Sequence, residues 1–331
     1  MDLARSTLSL LASIVCGTTL GAGGARAQPA WQPEKPVEII LPTAAGGTND
    51  QMARLMQKIL QDHKLVPQPV VVMNKPGGNQ TLAVVYHNQH PQDPHYLLYA
   101  TATIFTNELA GLSKVRYSDL TPLALFLVDH SVITVKADSP LKTMRELVAR
   151  LREDPESVAF GMVSRGGPNH LALSQAVRSA GIDPKKLKVV VFKTNAESMT
   201  ATIGGHIHAV VSSVSAALPQ VQAGNTRMLA IAAPKRQGGA VADVPTLREQ
   251  GIDANGIANW RAVFAVKGLS PAQVAFWDAA LARMAEAEEW KRQLAANNLA
   301  GQYLGSRDFA RYLEVEYGNT KATMVDLGLV K

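Results

Sequence analysis

Residues 35–56 read "KPVEIILPTAAGGTNDQMARLM". Val37, Ile39, Ile40 and Leu41 form an apolar run too short for a helix, so Val37–Leu41 reads as a buried strand. From Asp50 to Asp62 the apolar period lengthens, placing Met52, Leu55, Met56, Ile59 and Leu60 on one helical face. Between strand and helix lies a bare glycine loop. A phosphate loop, a nucleophile elbow and a carboxylate cradle are all candidates for such a junction. The loop lacks the Gly-Lys-Ser/Thr ending of the first and any nucleophile for the second, and it also lacks G-x-G-x-x-G spacing.

The same alternation continues along the chain. Strands are expected at 70–73, 96–100, 131–135, 158–161, 189–192, 207–211, 228–232 and 263–266. Between them fall helical stretches, one opened by a Thr143/Glu146 capping box and another by Thr194 with Glu197. Ser270-Pro271 and Ser306 open two long terminal helices, expected to cap the first domain. Strands alternating with helices predict an α/β fold with parallel sheets.

Glycine-rich or polar junctions recur at "TAAGGTND", "SRGGPN" and "KTNAE". Loops and helix N-termini beyond the carboxyl ends of strands are where open α/β sheets bind ligands. Unpaired N–H groups at a helix start favour a carboxylate or phosphate. Each junction alone also reads as an ordinary turn with a capped helix. Asp50 is expected to cap its own helix, since a second anion beside a bound carboxylate is repulsive. Gly161–Gly166 spells G-x-x-S-x-G, which misses the elbow spacing, so a secreted hydrolase using Ser164 and His170 is disfavoured. His206 and His208 alternate on a strand but lack further ligands, so no metal is expected, and no cofactor.

The first 27 residues differ from the rest. Arg5 precedes an apolar stretch at 8–15, and Ala25-Arg26-Ala27 supplies an A-x-A cleavage pattern, so 1–27 reads as a signal peptide. The expected mature chain begins near Gln28 in a periplasm. The single cysteine, Cys16, lies in the leader behind a poor lipobox. Removing Asp2, Arg5 and Arg26 takes the formal charge from +6 to +5, mildly favouring anionic ligands. No basic block or aromatic-basic interleaving points to nucleic acid.

The opening stretch resembles the signature of the tripartite tricarboxylate transporter substrate-binding proteins, also called Bug receptors, through Pro42, Gly46, Gly47, Asp50, Ala53 and Arg54. "VVVMNKPGGN", "HPQDPHYLLYAT", "RYSDLTPLALF", "RGGPNHLAL", "VVFKTNAESMTATIGGHIHAVVSSVSAALPQVQAG", "ADVPTLREQGI" and "NWRAVFAVKGLSPAQV" are similar to further family segments, in the family's order. The resemblance implies a type II periplasmic binding protein, two α/β lobes with a ligand cleft between them. It also implies a small carboxylate ligand and delivery to a permease of one large and one small integral subunit. A monomer is expected, with lobe 1 formed by 28–128 and 236–331 and lobe 2 by 129–235. A periplasmic ligand-carrier for a signalling receptor is the alternative role.

Backbone donors are then expected at Ala45, Gly46, Gly47 and Thr48 and at Gly166, Gly167 and Asn169. Side-chain donors are expected from Thr48, Asn49, Thr101, Ser164, Thr194, Asn195 and Ser212. Arg165 reads either as a bidentate carboxylate partner or as a solvated surface arginine. Where the family carries Asp in its Gly-Gly-x-Val-Asp run and shortly after, this chain has His208 and Ser212. With Ser213 and Ser215 close by, this suggests a carboxylate ligand without an amine.

Overall fold

The computed structural model describes residues 31–330, so the expected leader and Cys16 lie outside the described residues. Strands in chain order are β1 (Val37–Leu41), β2 (Val70–Asn74), β3 (Tyr96–Thr101), β4 (Leu120–Asp129), β5 (Ser131–Lys136) and β6 (Ala159–Met162). They continue as β7 (Lys188–Val191), β8 (Ala209–Ser213), β9 (Thr226–Ala232), β10 (Asn259–Val266) and β11 (Ala300–Gly305). One sheet runs β11-β4-β10-β3-β1-β2 and the other β7-β6-β8-β5-β9.

The sequence predicts parallel sheets, but both are mixed. Each has a parallel trio, β2-β1-β3 and β7-β6-β8, with the first strand of the trio in the middle. An antiparallel strand then extends each trio, β10 beside β3 and β5 beside β8. β4 was not expected at all, and β11 also escaped the sequence reading. β4 contains Pro122 and follows a tight three-residue turn, without the flanking pattern of a βα unit. The antiparallel strands are the ones that carry the chain between sheets. Asp129 ends β4 and Ser131 begins β5, so one residue, His130, separates the two sheets.

Helices cover both faces of the first sheet, as a sheet with two apolar faces requires. Helices Thr48–Asp62, Pro271–Glu286 and Glu288–Ala296 share a core with Ile39, Leu97 and Val263 on one face. Helices Thr81–Asn88, Thr103–Leu109 and Ser306–Asp326 cover the other through Phe105, Phe309 and Leu313. The two terminal helices opened by Ser270 and Ser306 thus pack on opposite faces of the first sheet. Trp277 is wholly buried and its indole N–H donates to Pro94 O at 3.0 Å, joining the helix after β10 to the turn before β3.

The second sheet is covered in the same way, by Met144–Glu153 and Pro168–Ser179 on one face and Asn195–Ile203 and Val214–Gln222 on the other. The Thr143/Glu146 capping box forms in both directions. At Thr194 only half forms: its hydroxyl accepts from Glu197 N–H at 3.1 Å, while the Glu197 carboxylate accepts from Lys193 N–H. Residues 236–254 were expected with the first sheet. Thr246 instead bridges Ile231, and Leu247, Ile252 and Ala254 pack in the core of the second.

Candidate functional site

The loops after β1 and β6 occupy equivalent places, beyond the middle strand of each trio, and they trace the same path. Gly46 and Gly166 have φ of 88° and 84°, the left-handed region where a side chain is strained. Gly47 and Gly167 follow as N-caps with φ/ψ of −83°/171° and −80°/175°. The helices beyond bond first through Gln51 N–H to Gly47 O and Leu171 N–H to Gly167 O, both at 3.0 Å. The N–H groups of Thr48, Asn49 and Asp50, and those of Asn169 and His170, therefore precede the first helical bond.

Asp50 does not occupy the N-cap. It is the third helical residue and reaches back, its Oδ2 accepting from Gly46 N–H at 3.0 Å. His170 does the equivalent in the second loop, its Nδ1 accepting from Gly166 N–H at 3.1 Å. The Gly46 and Gly166 amides, both expected as ligand donors, are thus engaged by their own loops. Burial pushes the Asp50 carboxyl up, but its bonds from Arg54, Gly46 and Asn74 outweigh that and hold it below the usual range.

Asn49 and Asn169 follow two residues after the second glycine of each loop. Arg261 Nε donates to Asn49 Oδ1 at 2.7 Å, and Ser131 Oγ donates to Asn169 Oδ1 at 2.7 Å. Each carbonyl oxygen is occupied, so each amide presents its NH2 as a pair of donors. The orienting residues come from β10 and β5, the equivalent antiparallel strands. Arg261 is buried, with Nη1 donating to Asn259 O at 2.8 Å and Nη2 3.9 Å from Asp129 Oδ2. Asp129 also accepts from Ser215 Oγ at 2.6 Å.

The remaining expected donors divide. Ala45, Gly46 and Gly47 are exposed and Thr48 is half-buried, with no side-chain partner for Thr48 among the described residues. Thr101 donates to Gln80 Oε1 at 2.9 Å, Ser164 to Asn79 Oδ1 at 2.6 Å, and buried Ser212 to Ser213 O at 3.2 Å. Thr194 serves its own helix, whereas Asn195 Oδ1 is buried without a partner. Arg165 is exposed and donates to Val189 O at 3.3 Å. The Ser164–Asn79 bond joins the loop of one sheet to the "KPGGN" turn of the other, where Gly77, Gly78, Asn79 and Gln80 all have positive φ. A run of that kind marks stored strain beside the candidate site.

Ser164 and His170 bond Asn79 and Gly166 respectively, so they do not form a nucleophile–base pair with each other. His208 accepts from Ala159 N–H at 3.0 Å, and among the described residues no three His, Cys, Asp or Glu side chains cluster as metal ligands. The sequence reading missed Arg261, Asp129 and Ser131. An arginine inside the apolar strand "NWRAVFAV" was the available signal, because such a charge needs a partner.

The family model described as tripartite tricarboxylate transporter family receptor matches residues 52–329. The chain belongs to that family. It is 27% identical over 326 residues to the UPF0065 protein in the gbd 5′ region of Cupriavidus necator, covering 97% of this chain and 96% of that one. A solved TctC solute-binding protein from Polaromonas shares 26% identity and covers 89% of this receptor and 99% of its own chain, with a TM-score of 0.69. R. palustris Rpa4515, solved with adipate, has a TM-score of 0.81 at 23% identity, over 90% of this chain and 99% of its own. The receptor therefore has the two-lobed α/β fold of periplasmic solute-binding proteins, and its relatives are receptors.

The loop histidine gives the receptor a pH response. Burial, with the Arg165 charge adding to it, pulls His170 down to about 4, and burial pulls His87 down to about 4 as well. The unfolded chain therefore takes up these protons first. Stability from both groups is full above their ordinary value of 6.5 and is lost as pH falls toward 4. Each shift corresponds to about 3 kcal/mol when fully expressed. Urea unfolding at several pH values between these limits is expected to show a shallower slope for His170→Asn than for the wild type. Equal slopes would remove His170 from this account.

Proposed function

We propose that this receptor captures a small organic carboxylate between its two sheets and hands it to a membrane permease of one large and one small integral subunit. The carrying observation is the matched pair of asparagines at equivalent helix starts of the two sheets, each with its carbonyl oxygen engaged and its NH2 without an acceptor among the described residues. A ligand with two carboxylates suits such a pair, and the adipate bound to a protein of the same fold supports that class. Asp129, the acidic group beside the Ser213–Ser215 cluster, is engaged by Ser215 and faces Arg261. It is therefore already matched, and a ligand ammonium gains little there. The role is binding without catalysis, in the periplasm after removal of residues 1–27, as a monomer. Lobe 2 begins at 129, as the sequence reading has it, and we move its end from 235 to about 255, with the packing of residues 236–254.

Thermal-shift titrations test the ligand class, because binding stabilises by RT ln(1 + [L]/Kd). Adipate, succinate and citrate are the positive arm, and glutamate and benzoate are the contrast. A dicarboxylate is expected to raise Tm most. Asn49→Ala and Asn169→Ala are each expected to weaken its binding about ten-fold, the size of one lost charge-assisted bond. A double variant that binds as well as the wild type, or glutamate as the best ligand, sinks this reading.

A further inference from the structure

A cavity of about 500 Å3 lies beside the Gly166 loop, bounded by helix Thr103–Leu109, helix Pro168–Ser179, the segment 184–189 and residues 324–330. Of the expected ligand donors only Arg165 and Gly166 reach it. Asn49 and Asn169 do not line it. Its volume falls in the range of small-molecule sites.

Ser174 is 1% exposed and its hydroxyl has no partner among the described residues. His170 also lines the cavity, and because its Nδ1 accepts from Gly166 the neutral ring carries its proton on Nε2. Arg165 and Lys185 stand at the rim, and among the described residues no Asp or Glu lines the cavity. Asn79 and Asn107 also line it but bond each other, Thr106 donates to Thr103 O in its own helix, and the remaining walls are apolar, including Leu112, Leu187, Val189, Met324, Leu327 and Leu329. Leu112 among them is 56% exposed.

We infer that this cavity is a second binding site, for a monoanion with an apolar body such as a medium-chain or aromatic carboxylate. The basic rim receives the carboxylate and the leucine-rich walls take the hydrocarbon, with the Ser174 hydroxyl and His170 Nε2–H available to a polar substituent. The dicarboxylate proposed above is a poor occupant, since its second charge has no place among those walls.

NMR titration of the full chain with octanoate tests this, with octanol as the neutral contrast. Octanoate is expected to saturate at one equivalent and shift the methyl signals of Leu112, Leu187 and Leu327, leaving the amides of Thr48 and Asn49 still. Lys185→Glu is expected to weaken octanoate about five-fold and leave octanol unchanged, because only the charge is lost. Ser174→Leu, which narrows the cavity and removes its buried hydroxyl, is expected to weaken both. Shifts confined to Thr48 and Asn49, or an octanoate affinity indifferent to Lys185→Glu, overturn the assignment.

Discussion

Arg261→Met is expected to lower the unfolding free energy by about 3–5 kcal/mol, the cost of removing one partner from a buried charge pair. Asp129 is 3% exposed, and it would keep Ser215 but lose the guanidinium. Asn259 O and Oδ1 would lose their donor as well. A second effect separates this from simple core damage. Asn49 Oδ1 would lose the bond that fixes its amide, so carboxylate affinity is expected to fall about ten-fold even where the protein remains folded. Urea denaturation and adipate titration measure the two. Adding Asp129→Asn should recover part of the stability and none of the affinity. A stability loss below about 1 kcal/mol would mean that water enters and solvates Asp129.

Asp50→Ala is the other large change. The carboxylate accepts from Gly46 N–H and Arg54 Nε at 3.0 Å and from Asn74 Nδ2 at 2.9 Å. Its loss frees the Gly46 turn from the helix and β2 from the loop, for an expected cost of about 3 kcal/mol. Because the folded carboxyl sits below its ordinary value of 3.8, this stability is present above that pH and is lost as pH falls through the folded value. Carboxylate affinity is expected to drop at least about ten-fold, since the donors at Gly47–Asn49 are no longer held in line. Asp50→Asn keeps the shape and one acceptor and should lose about half as much stability. An alanine variant with unchanged affinity would show that the loop holds its shape without the carboxylate.

The α/β class and both glycine junctions were legible because they depend on local pattern: apolar runs, a helical face from Met52 to Leu60, and glycines where φ must be positive. Equivalent loops could be seen as similar text, "AGGTND" and "RGGPNH", without showing that the last residue of each accepts from the first glycine. The antiparallel direction of β5, β9 and β10 was not legible, nor were β4 and β11 as strands at all. β4 and β11 owe their state to pairing with partners distant in the chain, and the residues between them give no such signal. The orienting groups were hidden for the same reason. Arg261 lies 212 positions from Asn49, and Ser131 lies 38 from Asn169. Expected donors such as Thr101 and Ser164 are ordinary hydroxyls in sequence, and only the fold shows that Gln80 and Asn79 already accept from them.

The single residue between β4 and β5 has a metric consequence. Asn49 is tied through Arg261 to Asp129, and Asn169 is tied directly to Ser131, so both amides are anchored two residues apart on one short span. Two extended residues cover about 7 Å. The backbone of the crossover therefore fixes the two anchors relative to each other, while the amides stand off from them by side chains of unequal length. On the proposed two-ended capture, lengthening the span by one residue should change the preferred acid length rather than abolish binding.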